Sequence, residues 1–114
     1  MVNNNDPVLC RCQDQFNALR NELGAIGYFC KGTVLVRKMK CGKKNCACQN
    51  DASARHGPYI ELTFKRGGKT INIPLRSEQA EIYREGTIEW RRLRKLLQRM
   101  ERISKRAMAR KART

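Results

Sequence analysis

Apolar residues first recur along the chain at alternating intervals of three and four: Leu9, Cys12, Phe16, Leu19, Leu23 and Ile26. That spacing draws one apolar stripe on a helix. Asp6-Pro7 supplies its start, a capping carboxylate followed by proline in the first turn. Gly24 and Gly27 are its candidate terminators. Within the stripe Cys12 counts as a small apolar side chain, the commonest fate of a free cysteine. The period then changes. TVLVRKM, from Thr33 to Met39, is dense in β-branched residues and predicts a strand. YIELTF, Tyr59 to Phe64, alternates and predicts a second. KRGGKT is a hairpin turn in which Gly67-Gly68 can take positive φ. TINIPL is a third strand, ended by Pro74.

Ser77 is a candidate N-cap for a second helix. Its stripe runs through Tyr83, Gly86, Trp90, Leu93, Leu97 and Met100, widened by Ile82, Leu96 and Ile103. Gly86 either splits this helix or marks a close crossing. Leu93, Leu97 and Met100 are natural mates for Phe16, Leu19 and Leu23, within one chain or across two copies. The last stretch, KRAMARKART, lacks a long apolar seam and is expected to order only on a partner. Tyr28, Phe29, Tyr59 and Phe64 are assigned to the core.

Charge adds a second layer. The 114 residues carry a net charge of +15, with a mean hydropathy of -0.69. The first thirty residues hold two basic and three acidic side chains. Residues 31–75 hold ten and two, and residues 76–114 hold thirteen and five. Such a field repels itself unless a polyanion neutralises it, so nucleic acid is the first partner to expect. Arg91, Arg92, Arg94, Lys95, Arg99, Arg102, Lys105 and Arg106 all fall off the apolar seam of the second helix. With Lys38, Lys40, Lys43, Lys44 and Arg55 they form the candidate nucleic-acid-binding set. No window approaches the apolar length of a membrane span and no leader is visible, so a cytoplasmic chain with no membrane partner is expected.

The stretch KCGKKNCACQNDASARHGPY, Lys40 to Tyr59, holds three cysteines and the only histidine. Cys41, Cys46, Cys48 and His56 offer three thiolates and one imidazole, the donor set of a closed tetrahedral zinc site. A reducing compartment favours metal over disulfides. Gly42 and Asn45 can supply tight backbone turns beside the ligands. The nearby lysines offset the negative charge of three thiolates around one Zn2+. Cys30 is an alternative to His56 as fourth ligand, and Cys10 with Cys12 an alternative start of a second site, although the core reading of Cys12 is preferred.

The predicted fold class is therefore α+β. A small three-stranded antiparallel sheet (32–75) with a zinc-binding loop is flanked by an N-terminal helix (7–26) and a long basic C-terminal helix (77–108). A basic tail (109–114) follows, and one domain spans 1–114. A core of this size benefits from a metal staple.

KGTVLVRKMKCGKKNCAC, RHGPYIELTFKRGGKTINIPL and the charged last helix together resemble a small prokaryotic family of uncharacterised proteins. That family shares a G-[ST]-x-L-V strand, a C-G-K-x-x-C-x-C loop, an H-G-P-Y turn and a G-G-K-T hairpin. The resemblance covers about Gly32 to Leu97. It implies that Cys41, Cys46, Cys48 and His56 belong to one site, and that the gene sits among mobile elements. Two features depart from it, the arginine-rich last helix and Cys10 with Cys12.

No phosphate-cradling glycine loop and no nucleophile–base pair is apparent, and a closed zinc site leaves no position for water, so an enzyme is not expected. The expected function is a zinc-stabilised nucleic-acid-binding accessory protein of a mobile element or phage. The ligand would be duplex DNA or structured RNA, held through phosphates by the loop and the last helix. The alternative is a protein-interaction subunit docking on an acidic protein or ribonucleoprotein. A homodimer or a larger protein complex is the accompanying partner expectation.

Overall fold

In the computed structural model the order is α1 (Pro7–Leu23), β1 (Thr33–Met39), β2 (His56–Arg66), β3 (Lys69–Leu75) and α2 (Ser77–Ala112). Two short 3-10 turns, Ala47–Gln49 and Ala52–Ala54, lie between β1 and β2. The structure describes residues 6–40 and 42–113, with only the backbone of residue 52. The class is α+β, two helices and a three-stranded antiparallel sheet ordered β1-β2-β3. Among the described residues, no helix is long and apolar enough to cross a membrane.

The start of α1 follows from its capping pair. Asp6 accepts a hydrogen bond at Oδ1 from the Val8 amide, 2.9 Å away, and Pro7 occupies the first turn, where its missing N–H is no loss. The helix ends at Leu23, short of the expected 26. Gly24, Ala25 and Ile26 donate to carbonyls three residues back, which unwinds the chain into 3-10-like turns. The start of α2 corrects the expectation for Ser77. Arg76 occupies the cap position: its amide donates to Gln79 Oε1 at 2.8 Å, and its carbonyl accepts from the Gln79 amide at 2.9 Å. Gln79 thus supplies the side-chain half of a capping box, while its own amide bonds the Arg76 carbonyl rather than a side chain, and Ser77 is the first helical residue.

Two compact units partition the chain. One joins α1 to the part of α2 beyond Ile88, and the other spans Phe29–Ile88. In the first unit the Gly27 amide donates to Glu89 Oε2 at 2.9 Å, and Arg110 Nε donates to Asp6 Oδ2 at 2.8 Å. The two helices therefore run antiparallel, and the seams pair within one chain. Equal numbers of residues separate Asp6 from Gly27 and Glu89 from Arg110, as parallel axes of equal rise require. Glu89 and Arg110 also mark which face of α2 meets α1. At about 100° per residue, Leu96 falls between them and Leu97 lies about 100° away from it. Accordingly Leu96 is 4% exposed and Leu97 47%. Leu97 as a seam residue is therefore corrected. From Leu93 the stripe shortens one step and continues through Leu96, Met100, Ile103 and Ala107, a local change of heptad phase that leaves Trp90 on the same side as Leu97. The basic tail is corrected too. It stays helical to Ala112, because Ala107 is half-buried and Arg110 is tied to the buried carboxylate of Asp6.

In the second unit β1 matches its expected ends, and β2 extends beyond its alternating core to His56 and Arg66. β3 includes Pro74 opposite Glu61 and ends at Leu75; as an edge strand it tolerates the missing donor. Gly67 and Gly68 have φ of 56° and 79°, closing the two-residue hairpin between the paired Arg66 and Lys69. The pairings place Val34, Ile60, Leu62, Phe64, Ile71 and Ile73 on one face, with Leu62 4% exposed at its centre. The opposite face carries the Arg37–Glu61 ion pair at 2.8 Å. A lone three-stranded sheet buries little else. Phe64 is half-buried, but Phe29 and Tyr59 are exposed, as is Tyr28 in the first unit, correcting the assignment of these three to the core.

Gly86 marks a close crossing, with α2 unbroken through it. The Cys30 amide donates to the Gly86 carbonyl at 3.1 Å, and a Cβ on Gly86 would stand 3.0 Å from Cys30 Sγ. A side chain there would push the incoming segment off the helix.

Candidate metal centre and basic helix face

His56 opens β2 opposite Met39, while Tyr59 pairs with Arg37. The register therefore shifts by one residue between these pairs, a bulge carried by Gly57-Pro58. Gly57 has φ of 123°, and a Cβ on it would lie 2.8 Å from the Arg37 carbonyl oxygen and 2.9 Å from the Tyr59 amide. Only glycine fits, and the bulge re-aims the histidine at the end of the strand.

The loop brings the thiols from the other side. Lys43 accepts at its carbonyl oxygen from the Cys46 amide at 3.3 Å and from Gln49 Nε2 at 3.2 Å. The Gln49 amide donates to the Cys46 carbonyl at 3.1 Å, closing the 3-10 turn that carries Cys48. Cys46 Sγ lies 3.2 Å from His56 Nε2, and the donor atoms of Cys46, Cys48 and His56 all fall within 4.8 Å of one another. A tetrahedral ion about 2.0–2.3 Å from each donor needs donors about 3.5–3.8 Å apart. The three residues could hold a metal ion with small adjustments. Cys48 is fully buried at 0% exposure and His56 is exposed, so the centre has one closed and one open side.

Cys41, the remaining expected ligand, lies outside the described residues. Asn45 does not take a left-handed conformation; only glycines have positive φ among the described residues. Asp51 is no ligand. Its Oδ1 accepts from the Ser53 hydroxyl at 2.8 Å and the Ser53 amide at 3.0 Å, and these bonds hold its carboxyl below the usual range. Cys30 does not replace His56. Its thiol points to the Tyr83 carbonyl at 3.8 Å, and burial raises its pKa, which keeps it a thiol. Cys12 is 3% exposed, in line with a core role, and among the described residues no third donor joins it and Cys10.

The expected basic residues are all exposed: Lys38, Lys40, Lys43, Lys44 and Arg55 around the loop, and the eight on α2. On α2, Arg92 stands 3.7 Å from Glu89 and Lys105 stands 3.9 Å from Glu101. Arg91, Arg94, Lys95, Arg99, Arg102 and Arg106 have no side-chain partner among the described residues. At about 100° per residue these six fall within an arc of roughly 140°, turned away from the face that meets α1. Sequence reasoning missed Gln98, an exposed polar side chain on that same arc, because it carries no charge.

No curated protein and no solved structure matches the chain. A family model does, over residues 9–84, so the match takes in α1, the sheet, Cys46, Cys48 and His56, and stops short of the basic arc. The chain thus belongs to the family described as domain of unknown function DUF6788.

Proposed function

We propose that the protein is a zinc-stapled nucleic-acid-binding accessory protein of a mobile element or phage. The carrying observation is the arc of six basic side chains on α2 that have no partner among the described residues, five of them arginine. Arginine offers two parallel donors to a phosphate, and an arc facing away from the hairpin seam keeps them accessible. Zinc is the ion that suits thiolate and imidazole donors at these separations, with Cys41 as the fourth ligand. There it would tie the loop to the head of β2 and need have no catalytic role. Neutralising four to six phosphates gives a slope of log affinity against log salt of about -4 to -5 for B-DNA. Arg99→Glu/Arg102→Glu/Arg106→Glu should weaken binding to random duplexes uniformly and leave circular dichroism unchanged. Absence of binding to duplex DNA and structured RNA at about 50 mM salt, where nonspecific contacts are strongest, defeats this reading.

A second reading has its own observation. Leu9, Phe16, Ile103 and Met108 line a groove of about 690 Å³ between the two helices of the first unit. If nucleic acid does not bind, docking of an acidic protein onto this unit takes its place.

A further inference from the structure

Resting on the nucleic-acid reading above, we propose that α2 binds by entering the major groove of duplex B-DNA. The argument lies in how the basic residues are distributed around the helix. At about 100° per residue, Arg91, Lys95 and Arg102 fall within roughly 40° of one another and form a central line. Arg94 lies about 60–100° to one side of that line, and Arg99 and Arg106 lie about 20–80° to the other. The pattern is a central row with a rail on each flank.

A helix lying across the outside of a duplex meets phosphates along one narrow line, and flanking rails would hang in solvent. A helix lying inside a groove meets a phosphate wall on each side and base edges in front. The major groove of B-DNA is about 12 Å wide, close to the 10–12 Å diameter of a helix with its side chains. The deep, narrow major groove of A-form RNA does not admit it. From Arg91 to Arg106 the helix rises about 22 Å, enough to follow roughly six base pairs at 3.4 Å each. The rails then contact phosphates, which set position and affinity. Arg102 in the central row faces base edges, where arginine pairs with guanine O6 and N7. Gln98, exposed between the central row and the Arg94 rail, has the geometry that pairs with adenine N6 and N7. Within the first unit nothing among the described residues lies in front of the arc. Glu89 and Arg110 turn toward α1, so α1 lies behind the arc, and Glu101 is held near Lys105.

The test uses the full chain with a DNA duplex of about 20 base pairs, the RNA duplex of the same sequence and the single DNA strand, at equal salt. The DNA duplex should bind about tenfold or more tightly than the RNA duplex and the single strand, because only its groove admits the helix. Dimethyl sulfate should report protection of guanine N7, in the major groove, and none of adenine N3, in the minor. Arg94→Gln and Arg106→Gln, one from each rail, should each lower the salt slope by about one. Equal binding to the RNA duplex, preference for the single strand, protection of adenine N3 alone, or a change from one rail only would overturn the groove assignment while leaving nucleic-acid binding standing. No binding to any of the three would overturn both.

Discussion

Leu96→Ala and Leu97→Ala test the phase of the helical seam with one chemistry at two adjacent positions. The change in helix propensity is the same for both and cancels in the comparison. Leu→Ala removes about three methylene equivalents, worth roughly 2.4 kcal/mol when fully buried at about 0.8 kcal/mol each. Leu96 is 4% exposed and so loses nearly all of this. The void left behind adds about 1 kcal/mol because the packed helices close only partly. The expected cost is about 3 kcal/mol. Leu97 is 47% exposed, loses about half of the transfer energy, and leaves a gap that water fills. Its expected cost is about 1 kcal/mol. The difference of about 2 kcal/mol is roughly a thirtyfold difference in folding equilibrium. Urea titrations followed by circular dichroism, with matching m-values, measure both. Equal costs, or a larger cost at Leu97, would refute the assigned face and restore the uninterrupted heptad.

Two further outcomes follow from the metal centre and the N-cap. Protein purified without added metal should carry about one zinc per chain, and Cys48→Ser should abolish it and destabilise the fold far more than Cys10→Ser, because metal-binding energy is folding energy; metal-free wild type with the same stability would remove the staple. Asp6 has its carboxyl held below the ordinary range, first by the hydrogen bond from Arg110, with burial acting in the opposite direction. Its folded-state pKa is the lower one, so its contribution is fully present above the unfolded value of about 3.9 and fades as pH falls through the folded value. Asp6→Asn should therefore flatten the stability profile below about pH 4, and an unchanged acid limb would dismiss the Asp6–Arg110 tie.

The helices and strands were legible in the sequence because their signals are local. The Asp6-Pro7 cap, the β-branched run of β1, the glycine pair of the hairpin and the off-seam arginines of α2 each act through neighbours a few residues away. The clustering of Cys46, Cys48 and His56 was legible for the same reason, since one loop carries them all. Tertiary structure decided what depends on distant groups. Leu96 and Leu97 are equally apolar, and only the hydrogen bonds from Gly27 to Glu89 and from Arg110 to Asp6 fix which of them faces α1. Gln79 rather than Ser77 completes the cap of α2, a choice between two competent side chains settled by backbone geometry. Gly86 permits either a break or a crossing, and Cys30 lying against it makes it a crossing. The last turns of α2 have weak periodicity of their own, and they are helical because Asp6, more than a hundred residues earlier, holds Arg110. Phe29 and Tyr59 have core chemistry, yet a three-stranded sheet with one partly buried face offers no interior to receive them, and Tyr28 is fully exposed at the end of the first unit's N-terminal segment.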